Sequence, residues 1–543
     1  MTESAETAGQ EPADAPAQRA GGRFADASLV GSRYARYVLF VLVLVYVFNF
    51  IDRQIISILA EDIRADLGVS DADLGFLYGT VFAVFYALCG IPLGRLADGW
   101  IRKSQIAIGL AFWSLMTALS GTARSFAALA SYRVGVGVGE ASASPAAFSM
   151  LCDYFPPRQR ATVMAIYSSG VYIGGGLGIA IGGVVLDTWH RWFPDPAAAP
   201  FGMKGWHMAF LLVGLPGLLL ALWVRTLREP VRGMSEGLTV ARERHPFRIA
   251  GQEFAAVLPG VSFFTLLSLR AHKGVMALNL GALLLLAAAG WSLYRWLGSP
   301  AQWIAMGLGL YSIFTWTQTL ILRSPAVFTG IFGNRTVMLC CIGFPCIGFV
   351  GYGSNFFAIP YLLRAHEVSS AQLGTVIGLS TALAAWMGIT TGGYIADRLK
   401  QRWEHGRLLV GIGSALLTLP LAIGVYFSPQ LGSVYVFNFL VMFVSPMYIG
   451  PAMSTVNDLV PPQMRGTVSA IYLMLMSFIG LAMGPFTMGQ ISAALSAAGG
   501  DSATSLRAGV MWGHLMLGVA LVLLVFACFT IRRERPLAPQ RPQ

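Results

Sequence analysis

Apolar blocks of about 20 to 25 residues recur along nearly the whole chain, and few folds can accommodate them. An α-helix rises 1.5 Å per residue, so about 20 residues cross a hydrocarbon core of ~30 Å. Blocks of this length fall at 37–60, 74–96, 104–123, 126–152, 161–186 and 207–227. A second set of six follows at 337–363, 371–396, 408–427, 432–458, 466–490 and 508–531. A soluble domain carries roughly 25% charged residues. This chain of 543 residues carries 12%, against 55% hydrophobic. Most of its surface therefore faces lipid, and the expected class is an all-α membrane protein.

The net charge of +11 does not point to nucleic acid, because the basic residues sit in particular loops. Arg95, Arg102 and Lys103 follow the second block, Arg158 and Arg160 the fourth, and Arg228, Arg232, Arg242, Arg244 and Arg248 the sixth. Arg532, Arg533 and Arg535 follow the last block, whereas the loop after the first carries Glu61, Asp62, Asp66, Asp71 and Asp73. The positive-inside rule then predicts both termini in the cytoplasm. Lysine supplies only four of the 37 basic residues, a bias of GC-rich bacterial genomes that suggests a bacterial inner membrane. Residues 1–34 and 533–543 read as cytoplasmic tails, the first disordered and without a signal-peptide core. The six cysteines show neither zinc spacing nor a disulfide framework, and read as packing residues.

The two sets of blocks repeat one another. SMLCDYFPPRQRATVMAIY at 149–167 aligns without a gap to STVNDLVPPQMRGTVSAIY at 454–472, with ten of 19 positions identical. GRLADGWIRK from Gly94 and GYIADRLKQR from Gly393 follow the second block of each set. The chain is thus read as a duplicated six-helix unit, 35–228 and 335–532, related by a pseudo-two-fold axis. Arg465 lies 305 residues beyond Arg160, where six spans with short loops need roughly 200. The surplus is an insertion at 229–334 with apolar blocks at 275–296 and 301–322, an extra hairpin without evident chemistry that brings the count to fourteen transmembrane helices. Ala255–Leu269 is short and contains Pro259, so it reads as an interfacial helix.

Gly94, Asp98, Arg102 and Lys103 resemble the loop 2–3 motif of the major facilitator superfamily, and Gly393, Asp397 and Arg398 resemble its second copy. Gly99 and Ile101 depart from the family pattern. The resemblance implies the major facilitator fold and alternating access, with these residues, Arg160 and Arg465 as a latch made in the outward-facing state and broken in the inward-facing one. Asn49-Phe50-Ile51-Asp52-Arg53 and the run from Arg133 to Glu140 and Ser142 resemble the spinster family within it. That likeness is good over 37–190 and only general in the second half. The Gly174, Gly178, Gly182 and Gly183 series resembles an exporter motif in which Ile179 replaces a proline, with Gly480, Gly484 and Pro485 as its repeat. Small residues there are expected to permit close contact between halves on the outer side.

Ionised side chains at membrane depth cost at least ~2.5 kcal/mol each, so they face a cavity or a partner. Arg133 and Glu140 are two turns apart on one helix face, and Gly135, Gly137 and Gly139 leave room for close packing beside it. An acid near a cation, in a site whose water access changes, is a minimal proton carrier. Glu140 is the expected proton-binding group and Asp52 its assistant, with a static salt bridge the alternative. Arg133 is the expected counter-charge and ligand for an anionic headgroup. Arg53 points about 100° from Asp52, to snorkel, pair elsewhere or join Asn49 at the substrate. Tyr352, Asn355, Trp386 and Asn438 are the neutral contribution of the second half.

Spinster resemblance implies a lysophospholipid or sphingoid phosphate as substrate; a proton-coupled symporter of a small organic anion, such as a hexuronate or aromatic acid, is the alternative. No H-E-x-x-H or phosphate-binding loop is present, and the one G-x-S-x-G, Gly233 to Gly237, lies in the basic loop after the sixth block rather than at a strand-to-helix turn, so neither an enzyme nor a nucleotide-driven pump is expected, and no cofactor or metal. The partners expected are the substrate, protons and membrane lipids, acting on a monomer.

Overall fold

The computed structural model describes residues 24–531 apart from 26, 237–243, 270 and 462–463. Of the tails expected at 1–34 and 533–543, residues 1–23 and 533–543 lie outside the described residues, as do Arg242 and Arg532, whereas Phe24–Ala25 pairs with Glu229–Pro230 and the first helix starts at Arg33, so the part from 24 to 34 is not a disordered tail. Local signals set the first turn. Ser32 caps α1 (Arg33–Leu67), accepting from the Ala35 N–H, and Gly68 ends it with φ +63°, a left-handed conformation that glycine adopts without steric cost. Ser70 and Asp73 then form a capping box that starts α2 (Asp71–Gly99). Two helix ends and their acids are thereby held within a few residues.

The first half continues with α3 (Arg102–Ser120), α4 (Phe126–Glu140), α5 (Ala143–Tyr154), α6 (Arg160–Trp192) and α7 (Gly205–Thr226). The block expected as one helix at 126–152 is thus broken at Ala141–Ser142, directly after Glu140. The second half comprises α13 (Arg335–Ala365), α14 (Ser370–Arg402), α15 (Gly406–Phe427), α16 (Leu431–Asp458), α17 (Arg465–Ala497) and α18 (Ser502–Thr530), after α8 (Pro246–Val257), α9 (Val261–Ser268), α10 (Lys273–Leu297), α11 (Pro300–Arg323) and α12 (Pro325–Phe332) of the insertion. Among the described residues, twelve helices are long and apolar enough to cross a membrane, or thirteen if the bent pair α8 and α9 is one span. The 19-residue, polar-ended α3 and the broken α4–α5 pair are not among them. The chain is an integral membrane protein.

Packing joins the halves along two seams, α2 against α17 and α6 against α14. The glycines divide their work differently from expectation. A Cβ on Gly178 would lie 2.8 Å from the Ile51 carbonyl, so this glycine packs α6 on α1 within its own half; Gly174 and Gly182 do the same. Gly183 makes the contact between halves, where a Cβ would lie 2.2 Å from the Ser370 carbonyl. Gly484 packs on Phe349 of its own half, while Pro485 meets Gly75 across the seam. Sequence spacing marks small residues but cannot say which neighbour they admit.

The insertion differs as well. The segment expected as one interfacial helix is two helices, α8 and α9, bent by 107° around Pro259–Gly260, with α8 against α2. The hairpin carries a buried polar network: Asn279 donates to Thr315 (3.0 Å) and Gln318 (2.7 Å) and accepts from Tyr311 (2.7 Å). Such bonds fasten helices in lipid, where no apolar driving force does so.

Candidate functional site

Close helix packing builds the site. A Cβ on Gly137 would lie 2.8 Å from the Phe82 carbonyl, and one on Gly139 would lie 2.8 Å from Trp113 Cβ, so the glycine run draws α2 and α3 against α4. Beside them lie Asp52, Arg53, Arg133 and Glu140, all buried. Arg53 NH2 donates to Glu140 Oε2 at 2.7 Å. Its guanidinium also lies over Phe82 at 4.2 Å, Phe50 at 4.6 Å and Tyr86 at 5.3 Å, an aromatic cage for a cation.

The counter-charge in contact with Glu140 is therefore Arg53, not Arg133. The 100° between Asp52 and Arg53 turns Arg53 toward α4 rather than out to a membrane surface. Arg133 NH1 instead donates to the Asp52 carbonyl at 3.2 Å, leaving its Nε and NH2 without hydrogen-bond partners. Glu140 Oε1 and both carboxylate oxygens of Asp52 are likewise without partners, although Trp113 and Thr117 turn their donors toward Asp52. Asn49 faces Glu140. Trp113, Thr117, Phe82 and Tyr86 escape the sequence reading because neutral residues in apolar blocks carry no mark of their neighbours.

Of the neutral residues expected from the second half, Tyr352 stands near Arg53. Asn355 is half-buried on the same helix, and Asn438 is buried with its Nδ2 unpartnered. Trp386 is 51% exposed, on a stripe of α14 shared with Leu379 and Leu383, so the fold does not bring it to the charged cluster.

The loop motifs form one end of the molecule. Arg102 is buried there between Asp153 (2.5 Å) and Glu229 (2.9 Å), which also receives the Lys103 backbone N–H. Arg160 pairs with Glu236 at 2.7 Å, and Arg465 Nε donates to the Asn457 carbonyl. Asp98 is exposed in the last turn of α2, one turn beyond Gly94, and Arg398 lies over Tyr394. In the second half Arg407 joins Asp397 (3.1 Å) and Asp458 (2.5 Å), beyond Gly393. Arg407 was legible: it lies 305 residues after Arg102, the offset that also relates Asp153 to Asp458 and Arg160 to Arg465. Among the described residues, no ion pair at this end joins the halves.

The opposite end is fastened across the halves. Arg364, at the end of α13, donates to Asp71 at 2.6 and 2.9 Å and to Glu61 at 2.7 and 2.9 Å. Ser492 of α17 donates to Asp71 at 2.6 Å, and the Ala371 N–H donates to Asp187 at 3.0 Å. The sequence shows Glu61 and Asp71 only as part of a loop of negative charge, and gives Asp187 no mark. Among the described residues, no group of three or more His, Cys, Asp or Glu could hold a metal ion.

The profile of the Major Facilitator Superfamily matches residues 42–355. An MFS-type efflux pump of Mycolicibacterium smegmatis is 26% identical over 92% of this chain and 90% of its own length. Protein spinster of Drosophila melanogaster is 22% identical over 84% of this chain, which spans 61% of that protein. Among solved structures, a bacterial homolog of the human lysosomal transporter spinster, in an inward-facing and occupied conformation, superposes with a TM-score of 0.69 at 25% identity. It covers 94% of this chain and 100% of its own. On this evidence the chain belongs to the Major Facilitator Superfamily, and within it is spinster-like.

Proposed function

We propose that this transporter couples proton movement to the passage of an amphiphilic anion, of the lysophospholipid or sphingoid phosphate kind, by alternating access. The observation that carries the reading is the buried cluster of Asp52, Arg53, Arg133 and Glu140 with acceptors and donors both left unpartnered. Buried polar atoms are ordinarily hydrogen-bonded. Here the free oxygens of Glu140 and Asp52 are the places for a proton, and the free nitrogens of Arg133 are the places for an anionic head.

The roles follow from the contacts. Glu140 is the proton-binding residue, held in orientation by Arg53, and Asp52 is its assistant. Protonating Glu140 weakens its pair with Arg53 and leaves the four-residue cluster one charge more positive, which favours an anion at Arg133. The substrate and the proton thus share one electrostatic site. Asn49 and Tyr352 border the site, and Asn355 and Asn438 offer neutral polar groups from the second half. The aromatic rings of Phe50, Phe82 and Tyr86 beside the cluster suit an alkyl tail better than a small, fully polar anion, which would want cationic groups on both halves.

The contacts at the two ends support an inward-facing state, with the Asp71 end outside and the termini in the cytoplasm of a bacterial inner membrane. Counting α3 and α4–α5 as spans gives fourteen transmembrane helices. In the outward-facing state the Arg364 fastening opens, and Asp98, Asp397 and the arginines of the motif end latch the cytoplasmic side.

The test is flux into liposomes under an imposed pH gradient, comparing labelled lysophospholipid with small carboxylates. Glu140→Gln should abolish gradient-driven flux while leaving exchange without a gradient. Gradient-driven flux that survives the substitution would remove Glu140 from the coupling role, and transport of carboxylates alone would favour the organic-anion reading.

A further inference from the structure

The inserted hairpin has two unlike faces. One lies over the α2/α17 seam: at Gly309 of α11 a Cβ would lie 2.4 Å from Phe478 of α17 and 3.2 Å from Val84 of α2, so the helix touches both halves at once. Gln490 of α17 also donates to the Leu297 carbonyl at 2.7 Å, which places the tip of the hairpin at the Asp71 end. The other face, with α9, encloses a groove of about 970 Å³. Its walls include Leu283 and Leu286 of α10, Ile304 and Leu308 of α11, and Phe263 of α9.

The groove is apolar and somewhat longer than the hydrocarbon of one leaflet is deep. Its α10 wall runs from Leu280 to Tyr294, about 21 Å of helix, against ~15 Å for half a hydrocarbon core. Its inner end is closed by Tyr311, whose hydroxyl is committed to the Asn279 network. At its outer end stand Trp291, Tyr294 and Trp296, all exposed, in the arrangement that marks a headgroup boundary. Arg295, also exposed, adjoins Tyr294 at that end, and a guanidinium there can pair with a lipid phosphate.

We propose that this groove holds an acyl chain of an anionic phospholipid from the leaflet at the Asp71 end, with its phosphate at Arg295. The lipid fills the space between α9 and the hairpin and so braces the hairpin against the seam between the halves. The site is separate from the charged cluster, from which its lining shares no residue.

Native mass spectrometry of the purified full chain tests this, with phosphatidylglycerol and phosphatidylcholine titrated in detergent. Wild type should retain phosphatidylglycerol in preference to phosphatidylcholine by about fivefold, and Arg295→Gln should erase that preference. Gly307→Phe should lower retention of both lipids, because a Cβ at Gly307 meets no atom within 4 Å and the ring extends into the groove. Leu283→Trp fills the same space from α10 and serves if the first variant does not fold. Arg133→Gln should retain the lipid as wild type does. Retention that survives both filling variants, that is lost in Arg133→Gln, or that is absent in wild type overturns the proposal.

Discussion

Arg364→Ala removes the arginine that fastens the two halves at the Asp71 end. Its side chain is 6% exposed, and that of Asp71 is 3% exposed, so water screens the pair little. Arg364 donates four hydrogen bonds to two acids of the opposite half, and its loss leaves Asp71 with Ser492 and a distant Arg64 at 3.8 Å. Breaking a buried pair by removing one partner costs about 3–5 kcal/mol. The proposed outward-facing state, with this end open, would not contain the pair and would not bear that cost. Taking the lower figure, about 3 kcal/mol shifts the equilibrium between states roughly 150-fold. Spin labels at Ala65→Cys and Glu367→Cys, both exposed at this end on opposite halves, would read the change by pulsed dipolar distance measurement in a cysteine-free background. Wild type should give one short distance, and Arg364→Ala a second, longer population. An unchanged distribution in a folded Arg364→Ala variant would refute the claim that this cluster sets the state.

Gly183→Leu should produce the same longer population by sterics alone, since its Cβ would lie 2.2 Å from the Ser370 carbonyl across the α6/α14 seam. Arg102→Ala and Arg407→Ala, related by the repeat, should differ in thermal stability. Arg102 is 1% exposed and its loss should cost about 3–5 kcal/mol, whereas the pair of Arg407 with the half-exposed Asp458 should cost about 1 kcal/mol or less. Arg53→Lys keeps the charge but loses planar stacking on Phe82 and Phe50, so it should lower stability by about 1–2 kcal/mol in a melt and slow gradient-driven flux. Equal stability of Arg53→Lys and wild type would argue against the aromatic cage.

The chain wrote its membrane class, its duplication and its charged residues into the sequence, because lipid excludes charge and forces apolar runs of one length. The 305-residue offset relating Asp153 to Asp458 even points to Arg407, which pairing in the fold then explains. What the sequence could not carry is who touches whom. Spacing along one helix makes Arg133 the expected counter-charge of Glu140, but the glycines of α4 bring Phe82 and Trp113 inward and the turn of α1 aims Arg53 across instead. Gly178 and Gly183 lie five residues apart on one helix, yet one serves α1 and the other α14. Trp386 belongs to an apolar block like any other, and only the packing of α14 assigns it to an exposed stripe. Hydrophobicity is a property of single residues and so is legible in order; a contact depends on the rotation and tilt of two helices, which are fixed only when all their neighbours are in place.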